Sequence, residues 1–270
     1  MADIFYGLPL WQSTILILGL SLAVGLGCSV GVRKILRLNP SDDEAEVAIN
    51  LMQVASAYIG IMLAFAAVSV WQDYQDAQTA VHQEAATASE LYRDLTMFGP
   101  ETVATRQALR GYMTSIVKDE WPLLGAGKKS PATEAALERL YAAFGTIQPQ
   151  GDRDSAIYSE AFSKMNDLVV MRRDRVTDSQ VGIPAILWVV GLVGSILTIA
   201  YAAAFSHSRL NLLMIAGISL TIGLLFLFLL TVDNPFKGPA QIDSAELAQL
   251  SRLLDHIDRS EMNRPLPSGK

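Results

Sequence analysis

The sequence predicts an all-α membrane protein with four transmembrane helices and a helical soluble insert between the second and third. Four segments contain no Asp, Glu, Lys or Arg and are mostly apolar: residues 4–32, 47–72, 179–208 and 210–232. A helix needs about 20 residues to cross about 30 Å of hydrocarbon, and each of these segments is longer than that. Because backbone amides inside a bilayer must be paired within their own segment, we expect all four spans to be helices.

These spans divide the chain into four parts. Residues 1–71 hold membrane helices 1 and 2, residues 72–180 form the insert, residues 181–232 hold membrane helices 3 and 4, and residues 233–270 form a C-terminal tail. The first span is predicted to be retained rather than cleaved, because its apolar core is too long for a signal peptide and Asp3 precedes it instead of basic residues.

The insert is predicted to consist of helices. Its first helix continues span two without a break, because apolar residues recur at steps of three and four until Gly99-Pro100 ends the pattern. That apolar face consists of Tyr74, Ala77, Val81, Ala85, Ala88, Tyr92, Leu95 and Phe98.

Three further helices are predicted in the insert, separated by turn-forming residues. The first covers residues 102–120, with Leu109, Met113 and Ile116 facing inward. The second covers residues 131–144, and the third is a segment that Asp154 or Ser155 caps. Trp121-Pro122 and residues 125–130 are expected to be a loop. In the tail, one short helix is predicted near residues 244–257, and residues 263–270 are expected to be disordered.

Charge and motif content exclude several functions. The insert contains 16 acidic and 12 basic residues, so its net charge of −4 does not suit nucleic acid. The three histidines, His82, His207 and His256, have no partner at metal-ligand spacing on one helix. We therefore predict no enzyme activity, no catalytic residues, no metal and no cofactor. The spans also lack the charged residues that are typical of ion-coupled pumps.

Small residues recur at helical spacing in the first two spans. Such rows let helices approach closely, either within one bundle or between subunits. The packing candidates are Gly27, Gly31, Ser56, Gly60 and Ala64, and Ser21, Gly25 and Ser29 lie beside the first of these rows.

Span two also carries an apolar row at steps of about four residues. Its members are Ala57, Ile61, Phe65 and Val68. The row is compatible with ordinary packing in a membrane helix, and it is also the arrangement expected of a hydrophobic constriction that gates a pore by dewetting.

Motifs around the spans carry a family resemblance. They are the stretch at residues 58–65 (Tyr-Ile-Gly-Ile-Met-Leu-Ala-Phe), Trp71, Tyr74, Glu84-Ala85, Leu91-Tyr92-Arg93, Arg172-Arg173, Ile183-Pro184, Trp188 and the Asp-Asn-Pro-Phe-Lys-Gly segment at residues 233–238. In this order and spacing they resemble the bestrophin-like family of bacterial four-span membrane proteins, which is distantly related to the bestrophin channels.

The resemblance implies a pentameric channel in which the second helix of each subunit lines the pore. Ile61 and Phe65 then occupy the position of the apolar neck, and the insert builds a cytosolic vestibule. The segment after helix 4 contributes Asp233, Asn234, Pro235, Phe236 and Gly238. Lys237 interrupts this motif, and residues 238–241 (Gly-Pro-Ala-Gln) follow where bestrophins have an acidic run, so no calcium site is expected.

The sequence leaves two functions open. One is a homo-oligomeric ion channel, whose partners are the lipid bilayer, further copies of the chain and inorganic ions. The other is a membrane-anchored helical sensor or scaffold with no pore. Basic residues near the spans nearly cancel as an orientation signal, so the resemblance places the termini and the insert in the cytoplasm and the protein in the bacterial inner membrane.

Overall fold

The computed structural model describes residues 5–36, 41–201 and 208–262, and every regular element in these ranges is helical. The expected disorder of residues 263–270 lies outside the described residues. The helices are α1 (Leu10–Leu36), α2 (Asp42–Phe98), α3 (Val103–Ser115), α4 (Trp121–Leu124), α5 (Pro131–Phe144), α6 (Gly151–Asp178), α7 (Ala185–Tyr201), α8 (Arg209–Val232) and α9 (Ala245–Met262).

Three of these helices are long and apolar enough to cross a membrane, by length and composition. They are α1, α2 and α8, so the prediction of long apolar helices is confirmed for these three. Helix α7 is apolar but has only 17 residues, and residues 202–207 beyond it lie outside the described ranges. It begins after Pro184, because proline disfavours a helical conformation in the residue before it. The count of four spans therefore stays a prediction.

The described chain divides into two compact units. The membrane unit contains Met1–Tyr74, Gly182–Asn234 and Gly238–Gln241. The insert unit contains Gln75–Val181, Pro235–Lys237 and Ile242–Lys270. Helix α2 contributes to both units as one unbroken helix that ends at Phe98, as the sequence pattern and Gly99-Pro100 predict.

One face of α2 packs against α8 in the membrane unit. The side chains of this core are Ile59, Leu63, Ala66 and Val70 from α2 and Phe226, Leu229 and Val232 from α8. Their spacing of three to four residues places them on single faces of the two helices. The remaining faces of the α2 membrane segment are therefore left for other contacts.

Helices α1 and α8 approach closely at two glycines. A Cβ atom on Gly25 would lie 1.8 Å from the Oγ atom of Ser219, and one on Gly223 would lie 2.6 Å from the Oγ atom of Ser21. Real Cβ atoms do not tolerate such distances, so both positions require glycine. The small-residue face that packs within the chain is the Ser21–Gly25–Ser29 face of α1, where Ser29 is also buried.

Gly25→Ala is expected to lower the free energy of unfolding by about 1–3 kcal/mol, because the added methyl group overpacks the contact with Ser219. Gly27→Ala is the matched control, since nothing lies within 4 Å of a Cβ atom there. Thermal unfolding of the two purified variants in detergent measures the difference. Ser219→Gly should restore the stability of Gly25→Ala, and equal stability of the two alanine variants would show that the contact does not constrain packing.

The helices of the insert unit form where the sequence predicts them, with three differences. Leu109, Met113 and Ile116 are buried, and α5 spans Pro131–Phe144 with the Ser130 hydroxyl accepting the Thr133 N–H at 3.3 Å. The expectation that Asp154 or Ser155 caps the next helix is wrong, because α6 already begins at Gly151. The expected loop at Trp121-Pro122 is also wrong, because these residues form the short helix α4.

The third difference is a widened helical turn at Ile116–Glu120, which has π-helical geometry. Turns of this kind insert one extra residue and are frequent at functional positions. This one brings Glu120 into the interior of the insert unit, where its side chain is fully buried.

Candidate functional site

The predicted neck row lies on the face of α2 that points away from the α2–α8 core. Ile61, Phe65 and Val68 are 59%, 74% and 56% exposed, and Ala57 is exposed as well. Ile59 and Leu63 are two residues away from Ile61, which is about 200° around the helix, and both are buried. The row is thus available to contact lipid, another subunit or a pore.

The predicted packing residues of α2 lie on the adjacent face. Ser56, Gly60 and Ala64 precede the neck residues by one position, about 100° around the helix, and all three are exposed. Among the described residues, nothing likewise lies within 4 Å of a Cβ atom placed on Gly27 or Gly31 of α1. Within the part of the chain that the structure describes, no side-chain contact occupies these positions, so their predicted use between subunits stays a prediction.

Asp233 follows the last residue of α8 and connects the segment before α7 with the N-terminal segment of the membrane unit. Its Oδ1 atom accepts the backbone N–H of Ile183 at 2.6 Å, and its Oδ2 atom accepts the hydroxyl of Tyr6 at 3.4 Å. Partial burial raises the pKa of Asp233 above its ordinary value, although these two hydrogen bonds oppose the shift. The carboxylate therefore anchors the chain immediately before α7.

The other residues of this motif form the turn that leaves α8. Gly238 has φ of +94°, a conformation that favours glycine, and a Cβ atom there would lie 2.8 Å from the Tyr6 ring. Pro235 accepts the backbone N–H of Ile242 at 2.7 Å, and the Phe236 ring meets the Trp121 ring edge-on at 5.7 Å. Across the described residues, no group of three or more His, Cys, Asp or Glu side chains is placed to hold a metal ion.

Four charged side chains are buried together in the insert unit. This buried ion cluster consists of Glu84, Glu120, Arg172 and Arg175. Arg175 donates to both carboxylate oxygens of Glu84, at 2.6 and 3.1 Å, and to Oε1 of Glu120 at 3.1 Å. Arg172 donates to Oε2 of Glu120 at 2.6 Å. Two positive and two negative charges thus neutralise one another away from water.

Neighbouring groups extend the buried ion cluster. Nη1 of Arg172 donates to the exposed carboxylate of Glu134 at 2.7 Å, and the Arg175 guanidinium lies 5.5 Å from the centre of the Trp121 ring. Burial alone would lower the pKa of Arg172, but its hydrogen bonds to Glu120 and Glu134 outweigh that effect and raise it. Burial and the negative charge of Glu84 raise the pKa of the Tyr112 hydroxyl well above its ordinary value, so that group stays protonated.

Comparison with known proteins identifies the family. The model of the Bestrophin-like domain matches residues 19–247, which is most of the chain. The chain belongs to the bestrophin-like family. The match confirms the resemblance that the motifs indicate, and it supports the prediction of a membrane protein. None of the curated protein sequences matches this bestrophin-like chain.

Solved structures share the bestrophin-like fold. A mutant bacterial bestrophin homologue from Klebsiella pneumoniae is 14% identical, with a TM-score of 0.69 over 91% of this chain and 99% of that one. A second mutant of a bestrophin homologue from the same organism is 16% identical, with a TM-score of 0.65 over 94% and 100% of the two chains. A crystal structure described as a membrane protein is 14% identical, with a TM-score of 0.67 over 91% and 98%. At these identities the likeness shows the fold.

Sequence reasoning missed the buried ion cluster of this bestrophin-like chain, although Glu84 and Arg172 belong to the family motifs. A signal was present: Arg172 and Arg175 continue the inward face of Met165 and Leu168 at steps of three and four. Glu84 likewise lies three residues after the buried Val81. Charged residues in phase with a core face indicate buried pairs, because an isolated buried charge is too costly.

Proposed function

We propose that this bestrophin-like protein is a homo-oligomeric ion channel in which α2 of each subunit lines a central pore. Ile61 and Phe65 form its apolar constriction, with Ala57 and Val68 in the same row. The observation that carries the proposal is the exposure of this row on the face of α2 opposite the α2–α8 core. The family position of the bestrophin neck supports the same assignment.

The adjacent small-residue face supports assembly through α2. Ser56, Gly60 and Ala64 lie beside the neck row and are exposed, so neighbouring copies could approach closely along this face. Such packing around a symmetry axis would turn Ile61 and Phe65 towards the centre. The same argument assigns the open glycines Gly27 and Gly31 of α1 to contacts between subunits.

The wider arrangement follows the bestrophin resemblance. We propose a pentamer in the bacterial inner membrane that conducts inorganic ions, with the insert and both termini in the cytoplasm. In this arrangement α7 is the third of four membrane helices. Its 17 residues span about 26 Å at 1.5 Å per residue, close to the thickness of the hydrocarbon core.

The subunit number tests this proposal. Native mass spectrometry of the purified protein in detergent should give a complex of five chains of 29.3 kDa each. A strict monomer would contradict a pore between subunits and favour a membrane-anchored scaffold.

Gly27→Leu is expected to lower the assembled fraction, because the larger side chain forces apart helices that meet at this open glycine. The fraction is measured by native mass spectrometry at matched protein concentration. Gly217→Leu is the comparison variant, since Gly217 of α8 is equally open but lies outside the predicted packing rows. Unchanged assembly of Gly27→Leu would show that this face of α1 contacts lipid.

A further inference from the structure

A cavity of about 440 Å³ lies within the membrane unit and is lined by α1, α7 and α8. Its wall is mostly apolar and includes Val24, Leu192, Ile196 and Leu230. The volume falls within the range of about 300–1,000 Å³ that is common for sites of small apolar ligands. Leu192 and Ile196 are also exposed on the outside of the chain, so the cavity is open on a side where an apolar surface meets the bilayer.

One end of this cavity carries a charge. Asp233 is the charged residue among the described residues of its lining. Because Asp233 directly follows the apolar segment of α8, it is expected at the level where the hydrocarbon core gives way to lipid headgroups. Apart from the serines Ser21, Ser195 and Ser219, the lining is apolar, and its headgroup end is negatively charged.

The Asp233 carboxylate has room for another partner. It accepts one backbone N–H from Ile183 and one hydroxyl from Tyr6, whereas an ionised carboxylate offers about four acceptor positions. A cation with N–H donors would use the remaining positions and favour the ionised form of this half-buried group.

We propose that this cavity binds a membrane lipid whose headgroup carries a primary ammonium, with the ammonium on Asp233 and an acyl chain along the wall of α1, α7 and α8. The negative charge of Asp233 disfavours an anionic lipid headgroup in this cavity. A quaternary ammonium lacks the N–H donors that the carboxylate accepts. The headgroup depth of Asp233 and the mostly apolar wall of the cavity match the polarity of a lipid, whose charged headgroup adjoins an apolar chain.

Lipid retention by the full chain tests the proposal. The purified protein is incubated with equimolar phosphatidylethanolamine, phosphatidylcholine and phosphatidylglycerol, and bound lipids are counted by native mass spectrometry. We expect phosphatidylethanolamine to be retained about two- to fivefold more than each of the others, as for a partly exposed ion pair of up to about 1 kcal/mol. In Asp233→Asn this preference should fall to about one, whereas Asp243→Asn, at an exposed acid, should keep it.

A second pair of variants tests the wall and does not depend on Asp233. Val24→Trp places a large ring in the cavity and should reduce phosphatidylethanolamine retention at least twofold. Val30→Trp, at a similarly exposed valine of α1 outside the lining, should leave it unchanged. Equal retention of the three lipids by the native chain, or a preference that survives both Asp233→Asn and Val24→Trp, would overturn the proposal.

Discussion

Arg175→Met is expected to destabilise the protein by about 3–5 kcal/mol, among the largest effects of any single substitution in the insert unit. The side chain of Arg175 is fully buried, and it supplies both hydrogen bonds that the structure gives to the carboxylate of Glu84. Its removal leaves that buried carboxylate without a positive partner, and the cost of an unpaired buried charge exceeds the lost packing of the arginine.

The matched control for this substitution is Arg173→Met. Arg173 lies on the same helix two residues away, but its side chain is exposed, so we expect a change within about 0.5 kcal/mol. Chemical denaturation of the full chain in detergent, followed by the loss of helical signal, compares the two variants. The double variant Glu84→Leu/Arg175→Met should be more stable than Arg175→Met alone, because it leaves no unpaired charge. The single variant Glu84→Leu is measured as well. If the double variant loses as much stability as Glu84→Leu and Arg175→Met lose together, the pairing of Glu84 with Arg175 is contradicted.

The sequence predicted the helices of the insert well but not its buried charges. Steps of three and four apolar residues placed Ala77, Val81, Ala88 and Leu95 in the core, and Gly99-Pro100 ended the helix where the structure ends it. The partners in the buried ion cluster are 91 residues apart for Glu84 and Arg175 and 52 for Glu120 and Arg172. No local pattern reports a pairing over such separations, and charged residues are usually exposed.

In the membrane helices, the sequence identified the segments but could not distinguish their faces. A helix in lipid is apolar on every side, so periodicity does not separate Ile61, which is exposed, from Leu63, which is buried. The same holds for Gly25 and Gly27, which look equivalent in sequence, whereas only the first contacts α8. Tertiary packing decides both distinctions.

Ile61→Ala combined with Phe65→Ala is expected to raise ion leak strongly, because these side chains form the proposed dry constriction. An ion that passes an apolar ring loses much of its hydration, and shortening the ring lets water remain. Both residues are exposed on the chain, so their truncation should cost less stability than a core change of the same size. The matched control is Ile59→Ala with Leu63→Ala, on the buried face of α2, which should destabilise the protein without opening a pore.

Ion flux through liposomes that contain equal amounts of assembled protein tests the channel proposal most directly. We predict that the double variant Ile61→Ala/Phe65→Ala conducts more than the native protein, and that the native protein conducts more than empty liposomes. A flux of the double variant no greater than that of empty liposomes, from protein that still assembles, would contradict a pore lined by α2.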